Sequence, residues 1–346
     1  MAPFFTPRGV QAHAQVMLSD AVRVAERWDD LARTGTQVEM GEEMMELTAA
    51  IIVRALFGAD AGADLVRLKS CVETMIGFTT SRMGPHPPDW VPTPSKRRFE
   101  QASAEVNQYI HRVIAERNQM ADPPTDDLLA QLMNARDDEG HPMSDALLRD
   151  ETITMFFAGH ETTARTLTAT WAALAAHPQV EARLHAELDE VLGDRTPTVE
   201  DLKALPYTLQ VVKEVLRLYP AAPFWVRDAV EDTEVAGHPV ATGSAVMLSP
   251  YYTHRHPDFW DDPDRFDPDR FTPEAEKARH PQAYHPFATG ERVCIGNHFS
   301  LLGSHLLLAV LARRFRARTV GAPPRWVMGG VLTPKGGVPM RIEARR

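Results

Sequence analysis

The segment Phe287-Ala288-Thr289-Gly290-Glu291-Arg292-Val293-Cys294-Ile295-Gly296 carries the most legible chemistry in the chain. Its pattern, F-x-x-G-x-R-x-C-x-G, arises by chance from average composition on the order of a few times in ten thousand such chains. Cys294 stands just before an apolar stretch, Ile295 to Arg314, that reads as a helix. The dipole and unpaired N–H groups at a helix start favour a thiolate. A thiolate binds haem iron and pushes electron density towards cleavage of an O–O bond. Gly290 and Gly296 let the backbone turn sharply or approach a flat macrocycle. Phe287 offers an apolar wall that limits water, and Arg292 can pair with a carboxylate. A lone cysteine in such a loop is ordinarily core packing; the surrounding pattern reverses that reading.

A second constellation, Ala158-Gly159-His160-Glu161-Thr162-Thr163, lies in the middle of a long helical stretch. Glycine and β-branched threonine are both unfavourable there. A threonine hydroxyl can bond back to the carbonyl four residues earlier. A local opening of the helix would instead make a small pocket with an acid and an alcohol beside it, and Ala158 and Gly159 would leave space for dioxygen. His160-Glu161 begins like the zinc-protease H-E-x-x-H signature, but Ala164 stands where the second histidine should be, so that reading fails. Glu214 and Arg217 are spaced to share one helix face, where an exposed pair would contribute only ~0.2–0.5 kcal/mol.

The elements that must position these residues are mostly helices. Arg8 to Arg33 reads as one helix, Glu42 to Phe57 as another, then Leu65 to Phe78 and Ser95 to Met120. Ser81 to Pro94 is proline-rich and reads as a loop. Ser144 can cap a helix running to about Ala176, Pro178 opens the next, and Tyr207 to Tyr219 is stopped by Pro220. Short strands are predicted over Phe224 to Val235 and Ser244 to Leu248, around a turn at Gly237-His238-Pro239. Asp261 to Pro286 has no clear periodicity, and Arg325 to Ile342 alternates as paired strands do.

The 346 residues are 44% hydrophobic and 24% charged, enough for a large core, and the net charge of −10 argues against nucleic acid as a partner. No apolar run reaches the ~18 residues of a membrane span. Two cysteines, Cys71 and Cys294, exclude a disulfide framework and a cysteine-rich zinc site, and suit a reducing cytoplasm.

These segments resemble those of the cytochrome P450 family. The cysteine segment resembles the haem-binding loop, with Ala288 where the family usually has a second glycine. Ala158 to Thr162 resembles the A/G-G-x-D/E-T segment on the distal face of the haem, which implies that Glu161 and Thr162, with water, deliver protons. Glu214 and Arg217 match the E-x-x-R pair, and Trp260 to Phe271 the meander whose arginine completes a structural triad. Arg270 is the better match, and Arg265, in a repeat of the same Pro-Asp-Arg-Phe pattern, is its rival. Arg227 would hold a haem propionate.

The resemblance covers essentially the whole chain. It implies a mainly α fold with a small β region, one domain over residues 1–346, lacking the N-terminal strands, the early helices and the W-x-x-x-R helix usual at the front. The implied reaction inserts one oxygen atom from O2 into an apolar organic substrate, with haem b (iron protoporphyrin IX) on Cys294. With no dinucleotide- or nucleotide-binding motif in the chain, electrons would come from a separate ferredoxin or flavodoxin-type protein. Arg313, Arg314, Arg316 and Arg318 are a candidate docking cluster for it, against the plainer reading as cations at a helix C-terminus. Met75, Phe78, Phe157, Phe224 and Leu332 lie in segments that line the substrate pocket in the family. The alternative is a truncated, catalytically inactive fragment of such an enzyme.

Overall fold

The computed structural model describes residues 4–58, 63–82, 86–88, 90–120 and 127–345. The expected first helix is two. α1 (Pro7–Ala12) ends at His13, whose backbone N–H bonds back to Val10 and Gln11, and α2 (Ala14–Thr34) starts anew. The His13 ring packs 4.3 Å from that of Phe4. Gly35 then ends α2 in the left-handed conformation that glycine adopts without strain. β1 (Gln37–Glu39) leads into α3 (Met40–Phe57), whose first turn is capped by the Glu39 carboxylate accepting from the Glu42 N–H at 2.7 Å. α4 (Ala63–Ser81), α5 (Pro94–Gln119) and the short α6 (Leu128–Asn134) follow. The predicted proline-rich loop falls between α4 and α5, and residues 83–85 and 89 of it lie outside the described residues.

α7 (Asp145–Ala176) is the spine. Ser144 caps it, accepting from the Leu147 N–H at 3.2 Å. Most threonines along it satisfy their hydroxyls inside the helix: Thr152 donates to Leu148 O at 2.7 Å and Thr168 to Ala164 O at 2.7 Å. Trp171 of α7 meets Trp28 of α2 edge to face at 5.3 Å, and Trp28 meets Phe315 at 5.7 Å. That aromatic seam joins α7, α2 and the C-terminal sheet. α3 packs along α7 so closely that a Cβ on Gly159 would stand 2.7 Å from Ile52 Cδ1.

α8 (Pro178–Leu192) and α9 (Pro206–Leu218) lead to a small β region: β2 (Trp225–Asp228) pairs with β5 (Ala245–Leu248), and β3 (Thr233–Val235) with β4 (His238–Val240). The β3–β4 turn is Ala236-Gly237, both at positive φ, rather than the predicted Gly237-His238-Pro239. α10 (Pro250–Thr253) precedes the meander and α11 (Pro273–Ala278) follows it, and α12 (Asn297–Arg314) carries a fully buried run from Leu306 to Ala312. β6 (Phe315–Thr319), β7 (Arg325–Met328), β8 (Leu332–Lys335) and β9 (Pro339–Ala344) close the fold. β9 sits between β6 and β1, so the chain's end pairs with a strand near its start.

The irregular chain before the cysteine is held from α9. Glu214 and Arg217 are wholly buried and doubly hydrogen-bonded, at 2.7 and 2.8 Å. The Arg217 guanidinium also donates to the carbonyls of His254 (2.8 Å), Pro263 (2.6 Å) and Arg265 (3.0 Å). Glu214 accepts from the Asp267 N–H at 2.7 Å, and Arg270 Nε lies 3.7 Å from it. Arg265 instead pairs with Asp267 at the surface. Burial raises the Glu214 carboxyl, opposed by Arg217, the Asp267 N–H and Arg270. Removing one member of such a pair strands the other, at about 3–5 kcal/mol. His254 Nε2 accepts from the His285 N–H at 2.9 Å, which assigns the proton to Nδ1, donated to Arg217 O at 3.1 Å.

Two measurements follow from these arrangements. Ala288 adopts φ +60°, a left-handed backbone that costs an alanine about 1–2 kcal/mol. Ala288→Gly relieves it but enlarges the unfolded ensemble, offsetting roughly 0.5–1 kcal/mol. Urea unfolding should show the variant stabilised by up to about 1 kcal/mol; clear destabilisation would contradict the backbone assignment. Burial lowers His254 to about 3, and His185 and His305 to about 4. All three are depressed below the unfolded value, so the unfolded chain binds more protons on acidification. Stability should be full above about pH 6.5 and fall towards pH 4, with about three protons taken up on unfolding near pH 5. Proton-uptake calorimetry showing none would refute the neutral buried histidines.

Candidate active site

The cysteine segment folds as a tight loop ahead of α12. Its first half is tied to its second by the Cys294 N–H donating to Phe287 O at 2.8 Å. Gly290, at φ +72°, opens a single 3-10 turn that ends at Arg292, and Gly296 caps α12. The Gly296 N–H holds the Cys294 thiol down, and a Cβ on Gly296 would stand 3.9 Å from Sγ. This loop and α7 enclose a cavity of about 290 Å³. The loop contributes Phe287, Ala288, Arg292, Cys294 and Gly296, and α7 contributes Ala158, Gly159, Thr162 and Thr163 among others. Cys294 is accessible, but to this cavity. Crowding protein atoms raise its thiol, and the Gly296 N–H opposes them.

Thr162 and Glu161 face different spaces. Neighbours on a helix point about 100° apart, and α7 runs through the segment without opening. Thr162 borders the cysteine cavity and donates its hydroxyl proton to Ala158 O at 2.9 Å. Glu161 borders a separate cavity and is paired with Arg165 at 3.1 Å. The acid and the alcohol are therefore not side by side, and no local helix opening makes a pocket for them. Thr163 bridges instead, donating to Ser300 of α12 at 3.4 Å, with both residues on the cysteine cavity.

Arg227 does not border the cavity. Its guanidinium donates to the Val226 carbonyl at 2.9 Å, while Trp225, two residues earlier on the same strand face, is the cavity residue. Met75, Phe78, Phe157, Phe224 and Leu332 are likewise absent from its walls. Phe78 stacks on Phe99 at 4.6 Å, and Leu332 is buried in the core. Phe5, Ile52 and Trp225 line the cavity without any local sequence signal, because they arrive from α1's approach, α3 and β2 by tertiary packing alone. The arginine cluster past α12 is largely neutralised within the fold: Arg314 pairs with Asp29, Arg316 with Glu343 at 2.9 Å, and Arg318 with Glu181 at 2.7 Å. It is not the open cationic surface that docking of an acidic protein requires. Cys71 is also no rival to Cys294. Burial and its hydrogen bond to Glu105 push its thiol up to about 11.

The residues around the cavity fit a thiolate-ligated haem. Cys294 presents a single soft donor with an N–H beside it to stabilise negative charge. Among the described residues no group of three or more His, Cys, Asp or Glu is placed to hold a metal ion. Arg292 lines the cavity and has no carboxylate partner among the described residues, which suits an anionic edge. Val293 and Ile295, flanking the sulfur, are 47% and 42% exposed, so apolar surface frames the donor.

Known proteins match in the same terms. The family model described as Cytochrome P450 matches residues 1–338. Cyclooctatin synthase of Streptomyces melanosporofaciens is 38% identical over 323 residues, 92% of this chain and 69% of that protein. Cyclooctat-9-en-7-ol 5-monooxygenase of the same organism is 34% identical over 347 residues, 99% of this chain and 74% of that one. The crystal structure of the cytochrome P450DA heme domain superposes with a TM-score of 0.92 at 29% identity, covering 100% of this chain and 76% of that one. A mainly helical fold with small sheets, a lone accessible thiol before an apolar helix, and these matches together establish that the chain belongs to the cytochrome P450 family of haem-binding monooxygenases.

Proposed function

We propose that the chain acts as one domain that holds haem b with Cys294 as the iron ligand and inserts one atom of O2 into a mainly apolar organic substrate. The observation that carries this reading is the shared cavity: an accessible thiol and an unpaired arginine on one loop, facing the Ala158–Thr163 stretch of α7. Two cysteines far apart in sequence offer no C-x-x-C-H attachment site, which favours a haem held without covalent links. When bound, the haem supplies oxygen activation at a thiolate-ligated iron.

The chain's own residues set the conditions. The Gly296 N–H and the start of α12 stabilise the sulfur anion that replaces the raised thiol. Arg292 would pair with a carboxylate of the bound group, and Phe287 and Trp225, which line the cavity, would exclude water from it. Thr162 has its proton committed to Ala158 O, so it turns lone pairs to the cavity and positions a water as an acceptor. Glu161 supplies protons only when its pair with Arg165 opens. Electrons come from a separate protein, for which a ferredoxin or flavodoxin type fits a chain without a dinucleotide-binding motif. Free thiols at positions 71 and 294 suit the cytoplasm. Among the described residues no helix is long and apolar enough to cross a membrane.

Reduced, haem-loaded protein under carbon monoxide should show the red-shifted absorption of thiolate ligation, and Cys294→Ser should abolish it. A histidine-type band in the unsubstituted protein would refute Cys294 as ligand. Thr162→Ala should uncouple oxygen consumption from product, raising several-fold the share of consumed oxygen released as peroxide. Unchanged coupling would remove Thr162 from the mechanism.

A further inference from the structure

α7 borders a second space. A cavity of about 500 Å³ lies against its other side, walled by Met45 of α3, Ser81 at the end of α4, Glu161 and Arg165 of α7, and Val331 and Thr333 of the β7–β8 hairpin. We propose that this cavity is a substrate subsite for an alcohol oxygen on an otherwise apolar molecule, with Arg165 as the residue that recognises it. The inference rests on the monooxygenase reading and adds the functional group of the substrate.

Arg165 holds unused hydrogen-bonding capacity. One of its terminal nitrogens donates to Glu161 Oε1 at 3.1 Å; the side chain is 21% exposed, and the other terminal nitrogen makes no hydrogen bond among the described residues. A guanidinium carries five N–H donors, and buried donors in folded proteins are rarely left unpaired. The pair therefore presents a donor and an acceptor together, the two charged groups of a wall whose other polar members are Ser81, His160 and Thr333.

A hydroxyl matches both at once. Its oxygen accepts from Arg165 and its proton goes to the Glu161 carboxylate. A carboxylate would satisfy Arg165 but meet the charge of Glu161, and an amine would meet that of Arg165. An ether accepts but cannot donate. A hydrocarbon uses neither group.

Position ties this subsite to the chemistry. On the helix surface Glu161 and Arg165 lie at the edge of the second cavity, beside Ala158 and Thr162 at the edge of the first. Arg165 follows Thr162 by three residues, within about one 5.4 Å helical turn. An oxygen anchored at Arg165 keeps the apolar body next to the cysteine cavity. Entry of the hydroxyl between Arg165 and Glu161 also loosens their direct bond, which is the condition under which Glu161 can pass a proton.

The test uses the haem-loaded full chain and three probes of one carbon skeleton: 1-adamantanol, 1-methoxyadamantane and 1-adamantanecarboxylate. Binding is read by equilibrium dialysis, independently of turnover. The alcohol should bind about tenfold tighter than the ether, the scale of a hydrogen bond to a charged group, and tighter than the carboxylate. Arg165→Gln should erase that preference, and the Glu161→Gln/Arg165→Gln double variant, which leaves no stranded charge, should do the same. Equal binding of alcohol and ether by the unsubstituted protein overturns the proposal, as does tightest binding of the carboxylate or a preference that survives in both variants. Failure of the underlying reading looks different: the thiolate carbon monoxide band is then missing from the unsubstituted protein, whatever the probes do.

Discussion

The Arg217 guanidinium is the constraint on which the rest of the site depends. Chain from His254 to Pro286 forms little regular secondary structure, so its carbonyls lack the partners that a helix or sheet would give them. Three of them, on His254, Pro263 and Arg265, converge on one buried guanidinium whose remaining donors are fixed by Glu214. A buried ion pair is a poor source of stability, because desolvation offsets most of its attraction. Its value here is geometric: five fixed N–H directions define where three loop segments sit. Trp260 stacks beneath the same cation at 4.9 Å, and His254 passes the order on to the His285 backbone. Nine residues beyond His285 is the sulfur.

That chain of contacts explains how an irregular loop can hold a reactive thiol in one place. The cysteine is braced through its N–H to Phe287 O, and the Gly296 N–H favours the sulfur anion. Surrounding protein raises the thiol, so the anion is not the resting form of the isolated residue. On the proposed reading, an electropositive centre replaces the proton, which makes ligand and cofactor interdependent. The strained backbone at Ala288 sits on the same loop and is tolerated because the flanking hydrogen bonds over-determine it.

The long helices were legible in the sequence because each carries its own boundaries. Ser144 and Pro178 mark starts that the structure reproduces, and Gly58 ends α3 as its position suggests. The cysteine loop was legible because its chemistry is packed into ten consecutive residues. What escaped depends on partners distant in sequence. β1 is three residues long and exists only because β9 pairs with it. The break at His13 comes from packing on Phe4, and α6 is seven residues, too short to stand out by periodicity. Phe5, Ile52 and Trp225 reach the cavity from three separate elements. The arginines past α12 looked like an open patch because their partners, Asp29, Glu181 and Glu343, lie far away in the chain.

The separation of Glu161 from Thr162 follows from helix geometry rather than from any special device. A motif read along the chain suggests that adjacent residues act together, whereas an unbroken α-helix points them about 100° apart. For both to serve one site, the helix must open or the acid must reach round its edge. α7 stays closed, because Thr162 returns its hydroxyl to Ala158 O and the close approach of Ile52 to Gly159 pins the segment against α3. Reaching round is therefore the remaining route, and Arg165 stands on it, holding the carboxylate one turn along the same edge. On the proposed reading, proton supply to the cysteine cavity is governed by what competes for Arg165, a residue outside the motif that drew attention to the helix.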